Sequence, residues 1–189
     1  MDDTTAAAGG IDPARLPDFE VLFSGAEISA RIQELAREIA DSGMQRLLVV
    51  AILKGSFVFA ADLLRALHTV DVRPEVDFVT LSSYRKNQIS SGQVAILRDV
   101  DLEVEGRDVL IIDDILESGR TLAFAKDLIS ARGASRVSTC VLIEKAVPRA
   151  ADIAADFKAF RCEDVFVVGY GMDLAYRFRE LPFVGRVVS

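Results

Sequence analysis

A run of apolar residues, Leu47–Leu53, has no polar position within it. Further apolar stretches follow at Val109–Ile112, Val137–Ile143 and Val165–Val168. A strand with one solvated face alternates apolar and polar residues. A strand covered on both faces does not need to, and such runs mark parallel sheets. Each run is therefore predicted to be a buried strand, and Val76–Leu81 reads as a further extended segment.

The intervening segments change period. Ile28, Ile32, Leu35, Ala36 and Ile39 recur at helical spacing. Ser24 with Glu27 fits a capping box ahead of them, and Gly43 suits the stop. Phe57, Ala60, Leu63, Leu64 and Leu67 form a second helical stripe. Leu122, Ala125, Leu128 and Ile129 form a third, ended by Gly133. Strands alternating with helices predict an α/β fold with right-handed crossovers. In such folds ligands sit outside the carboxyl ends of the strands, so the loops that follow strands matter most. Here those loops are Lys54-Gly55-Ser56, the stretch Ser82 to Gly92, Asp113 to Thr121, Glu144-Lys145, and Gly169 to Asp173.

Composition narrows the classes. The 189 residues are 51% hydrophobic and 27% charged, a globular balance rather than a disordered one. A chain of this length buries roughly 70% of its unfolded surface, enough for a single core. The expected organisation is a disordered tail over residues 1–15 and one domain over 16–189. Leu47–Leu53 is far shorter than the ~18 residues of a membrane span. Met1–Gly10 carries acids and no base, unlike a secretory signal. Cys140 and Cys162 are far apart, so neither a disulfide scaffold nor a zinc site is expected, and a reducing cytoplasmic setting is implied. The net charge of −7 argues against nucleic acid or anionic membrane as a partner.

The loop after Val109–Ile112 carries the chemistry. Asp113 and Asp114 stand side by side at the end of a strand expected to be buried, which is costly through repulsion and desolvation. Vicinal ribose hydroxyls, or a divalent cation with its waters, would offset that cost. Ser118-Gly119-Arg120-Thr121 then opens a helix, whose free N–H groups bind phosphate. One loop thus offers acids for a sugar diol and a cradle for a phosphate. The bland alternative is a plain helix cap with solvated acids. The Walker spacing is absent, and Gly169-Tyr170-Gly171 lacks the third glycine of a dinucleotide fingerprint, since Leu174 holds that place.

The string Val109 to Leu122 closely resembles the signature that type I phosphoribosyltransferases use for 5-phosphoribosyl-1-pyrophosphate (PRPP). Leu53-Lys54-Gly55-Ser56, Ser82-Ser83-Tyr84, Lys145, and Phe166 to Tyr170 with Asp173 and Arg179-Glu180-Leu181 resemble further segments of the hypoxanthine-guanine branch. The resemblance implies that family's fold: a mainly parallel sheet flanked by helices, with a small hood built from terminal segments. It implies that Asp113 and Asp114 hold the ribose hydroxyls, directly or through Mg²⁺. Ser118, Gly119, Arg120 and Thr121 would take the 5′-phosphate. Lys54, Gly55 and Arg179 would take the pyrophosphate, and Asp173 a second Mg²⁺. Phe166 would stack on the purine, Val167 and Asp173 would meet its edge, and Lys145 would donate to its 6-oxo group. Ser83 and Tyr84 would begin a lid that excludes water, with Arg85 and Lys86 facing phosphate or solvent. A homodimer or homotetramer is the family's usual state.

One residue departs from the pattern. The family usually has Asp where this chain has Glu117. That acid takes or stabilises the purine proton, and Glu moves the carboxylate outward by about 1.5 Å. Glu117 is still assigned the base role. The expected activity is Mg²⁺-dependent conversion of hypoxanthine or guanine plus PRPP to IMP or GMP plus pyrophosphate. A non-catalytic PRPP sensor, or a transferase for xanthine or another base, remains the alternative. His68 at a helix end and Met172 after the last run are read as structural.

Overall fold

The computed structural model describes residues 18–83 and 94–188. Its elements are β1 (Asp18–Phe23), α1 (Gly25–Asp41), β2 (Leu48–Leu53), α2 (Phe57–Thr69), β3 (Glu75–Ser83), β4 (Val94–Arg98), β5 (Asp108–Leu116), α3 (Arg120–Ala131), β6 (Arg136–Lys145), β7 (Phe157–Cys162), β8 (Val167–Val168) and β9 (Val184–Val188). The main sheet has the order β4-β3-β2-β5-β6-β7, parallel except for β4, which pairs antiparallel with β3. A small antiparallel sheet, β1-β9-β8, unites the first and last described strands. This is the expected fold with its terminal hood.

The apolar runs follow from helices on both faces. In β2, Val49 and Ala51 pack into the core beneath α1 and α2, while Leu48, Val50 and Ile52 pack toward α3. Leu110 and Ile112 of β5 join the first core, Val109 and Ile111 the second. Alternation is present, but both sides are dry. The capping box forms as predicted: Ser24 N donates to Glu27 Oε2 (2.8 Å), and Glu27 N donates to Ser24 Oγ (3.3 Å). Gly43 takes φ 68° just past the end of α1, and Gly133 takes φ 82° past α3.

Three expectations need correction. Val165–Val168 is not a strand of the parallel sheet. Only Val167–Val168 is extended, and it pairs antiparallel with β9 in the hood. The outer place beside β6 belongs to β7, whose Lys158 and Arg161 obscured it as an apolar run. In α2 the buried stripe includes Phe59 and Ala66, whereas Phe57, first in the helix, is exposed. Ser82 and Ser83 belong to β3 and pair with Ala95 and Val94 rather than opening a loop. Tyr84, Arg85, Lys86 and the rest of the expected lid lie outside the described residues, as does the expected tail. No helix among the described residues is long and apolar enough to cross a membrane.

Candidate active site

The parallel strands β2, β3, β5 and β6 end on one edge of the sheet, which brings their loops together. Two glycines show how closely. A Cβ on Gly55 would lie 1.7 Å from Asp114 Oδ2, and one on Gly171 (φ 101°) would lie 2.2 Å from the Gly55 carbonyl oxygen. Only glycine permits these approaches. Ser56, wholly buried, donates to the Ile52 carbonyl (2.6 Å) and fixes the start of α2. Lys54 stands exposed at the tip of that turn.

β5 runs through the acid pair instead of ending before it. Asp113 is buried and pairs in register with Val141 of β6. Its Oδ1 accepts from Asp114 N (3.0 Å), while Asp114 Oδ1 accepts from Ile115 N (2.9 Å). Burial, then the Asp114 charge, pushes the Asp113 carboxyl well above the usual carboxylate range. Burial also raises Asp114, against hydrogen bonds and the charge of Arg179. Beyond the pair, Gly119 caps α3 in the left-handed region (φ 78°) with no side chain to satisfy the helix start. Ser118 Oγ makes only a long 3.5 Å contact with Arg120 N, and the first helical bond runs from Ala123 N to Gly119 O (2.9 Å). The amides of Arg120, Thr121 and Leu122 therefore precede the helical ladder, as in any anion-binding helix start.

A cleft of about 160 Å³ adjoins this loop, lined by Asp114, Glu117, Lys145, Phe166, Val167 and Asp173 among others. Lys145 is buried, with its Nζ 3.3 Å from Glu117 Oε2 and 3.4 Å from Asp164 Oδ1. Phe166 is 56% exposed, so its ring is open to a planar partner. Val167 and Met172 are buried in the cleft wall. Asp173 accepts from Arg179 Nη2 (2.6 Å) and from Tyr176 N (2.8 Å), and Arg179 Nη1 donates to the Gly171 carbonyl (2.6 Å). Arg179 thus braces the glycine turn that touches Gly55.

The predicted residues Lys54, Gly55, Asp113, Asp114, Glu117, Ser118, Gly119, Arg120, Thr121, Lys145, Phe166, Val167, Asp173 and Arg179 all fall on this edge or in its cleft. Sequence reasoning missed Asp164, whose only signal is an acid two residues before Phe166. No group of three His, Cys, Asp or Glu among the described residues is arranged to hold a metal ion. Asp113 and Asp114 on β5, and separately Asp173 beside Arg179, offer carboxylate oxygens, the donor type that Mg²⁺ takes together with waters and substrate phosphates.

The model of the phosphoribosyl transferase domain matches residues 20–175. The chain belongs to the phosphoribosyltransferase family. It is 44% identical to the hypoxanthine phosphoribosyltransferase of Salmonella typhimurium, over 89% of this chain and 95% of that protein. It is 42% identical to the hypoxanthine-guanine phosphoribosyltransferase of Bacillus subtilis, over 88% of this chain and 91% of that one. A solved structure described as "Analysis of an invariant aspartic acid in HPRTs-glutamic acid mutant" has a TM-score of 0.84 and 36% identity, covering 91% of this chain and 96% of that one. In this phosphoribosyltransferase Glu117 reaches the ammonium of Lys145.

Proposed function

We propose that this phosphoribosyltransferase salvages purines by joining hypoxanthine or guanine to PRPP, forming IMP or GMP and releasing pyrophosphate. The observation that carries the reading is the meeting of a buried acid pair, an uncapped helix start and a lysine-bearing cleft on one sheet edge. The likeness to hypoxanthine and hypoxanthine-guanine phosphoribosyltransferases supports it.

Each residue has a task. The amides of Arg120 and Thr121 with the Ser118 and Thr121 hydroxyls hold the 5′-phosphate. Asp113 and Asp114 receive the ribose hydroxyls, and Lys54, Gly55 and Arg179 hold the pyrophosphate. Phe166 covers the purine face, while Val167 and Asp173 meet its edge. Lys145 has three N–H donors and already faces two carboxylates. Its third can meet a 6-oxo acceptor but not the amino group of adenine. As the purine nitrogen bonds to ribose C1 and pyrophosphate departs, Glu117 accepts the purine proton. Mg²⁺ held near Asp113 and Asp114, and a second Mg²⁺ held by Asp173, would supply positive charge against the departing pyrophosphate. Arg179 and Lys54 stabilise that charge from the protein side.

The same reading places the enzyme in a reducing cytosol as a homodimer or homotetramer. The likeness to hypoxanthine phosphoribosyltransferases supports the multimer only through that family's usual state. Sedimentation as a single subunit would overturn that part. The whole reading is tested by steady-state turnover of hypoxanthine, guanine, xanthine, adenine and uracil with PRPP and Mg²⁺. IMP and GMP should form readily and adenine should react poorly. Formation of neither nucleotide would end the proposal, and PRPP binding without turnover would favour a sensor.

A further inference from the structure

Glu144 is buried at the end of β6, next to Lys145, yet shares none of its partners. Its Oε2 accepts from Lys158 Nζ (2.5 Å) and Arg161 Nε (2.9 Å), both on β7. Its Oε1 accepts from Arg149 Nη2 (2.8 Å). Arg149 in turn donates from Nη1 to the Ile153 carbonyl (3.0 Å), which closes the link between β6 and β7 on itself. That link is the backing of the phosphate loop. Ala150 N and Ala151 N both donate to the Ser118 carbonyl, at 3.0 and 3.2 Å. A Cβ on Gly119 would stand 2.8 Å from Ile153 Cγ2 and 3.1 Å from the Ala151 carbonyl oxygen. Lys145 meets the same loop from its other side, through Glu117.

We propose that Glu144 is a positioning residue for phosphate recognition. It holds Arg149, Arg149 holds the 149–153 segment, and that segment fixes Ser118 and Gly119 and so sets where the amides of Arg120 and Thr121 point. The proposal rests on the transferase reading for the loop's ligand, but it concerns residues outside the cleft. A charged fork needs a charged acceptor to stay in one geometry. A neutral amide at 144 keeps the shape and loses the hold. The amides of the loop then lose their alignment with a phosphate, whereas the cleft around Lys145 and Phe166 keeps its own contacts.

The test compares the binding of IMP and inosine, which differ only in the 5′-phosphate. In the wild type the ratio of their affinities measures the phosphate loop. In Glu144→Gln that ratio should fall about tenfold, the size of one charge-assisted hydrogen bond, with inosine affinity unchanged. KM for PRPP should rise in step while KM for hypoxanthine stays. Arg149→Met should show the same ratio, and it answers the question if Glu144→Gln fails to fold. An unchanged ratio in folded variants, or equal loss of inosine and IMP, would overturn the clamp while leaving the transferase reading intact. A wild type that binds neither ligand would overturn both.

Discussion

Two acidic sites lie on neighbouring strands, and they solve the cost of burying charge in opposite ways. On β5, Asp113 and Asp114 stand side by side with no ion pair among the described residues; burial and the Asp114 charge push the Asp113 carboxyl well up, and burial raises Asp114 although the charge of Arg179 opposes it. On β6, Glu144 is as deeply buried but has three cationic partners. Burial raises its carboxyl, yet the hydrogen bonds of Lys158 and Arg161 and the nearby charges outweigh that and hold it low. One site is complete within the protein; the other is left for a ligand to complete. Buried like charges that internal contacts relieve only in part are a mark of function, while a saturated acid is a mark of architecture.

Removing the partly relieved charge should cost activity most. Asp114→Asn is expected to lower turnover by about a thousandfold in a PRPP-dependent assay, the scale of a lost group that stabilises developing charge. Lys145 stands between the two sites, next to Glu144 in sequence but bonded to Glu117 of the acid loop. Lys145→Ala should reduce kcat/KM for hypoxanthine and guanine by about a hundredfold, while bases without a 6-oxo group lose little. Equal loss for every base would remove its reading role.

The saturated site should register in stability. Glu144→Gln should destabilise the fold by about 2 kcal/mol in urea titration, below the usual cost of breaking a buried pair because its partners can reach water. Arg161, for one, is 72% exposed. The pH dependence separates the sites as well. A lowered carboxyl stabilises above its ordinary pKa, and that contribution fades as acid protonates it. A raised carboxyl does the reverse: its cost is absent in acid and grows as pH climbs past the ordinary value. The smallest change is expected at 117. Glu117→Asp should keep or improve turnover, because Asp retains the carboxylate with a similar pKa at that place in the loop. Complete loss would mean that the loop is built around Glu.

Much of this was legible from residue order alone. The strands β2, β5 and β6, all three helices and the acid pair announce themselves through local pattern. Lys54, Lys145 and Asp173 were placed by resemblance and loop position. What stayed hidden depends on contacts distant in sequence. β7 looked polar because Lys158 and Arg161 serve Glu144 on the adjacent strand. Val165–Val168 looked like a core strand because all four residues are apolar, yet only Val167 and Val168 are buried, and they pair in the hood while Phe166 is exposed at the cleft. Asp164 carried no pattern, and its contact with Lys145 exists only because β7 lies beside β6.

The division between the two sites is tested most directly by Asp113→Asn, with thermal melting followed from acid to neutral pH and turnover measured on the same protein. The variant should melt above the wild type at neutral pH, the gap should shrink on acidification, and turnover should collapse. A variant that melts lower at neutral pH, or that keeps wild-type turnover, would contradict the view that this acid is held in the protein for its ligand.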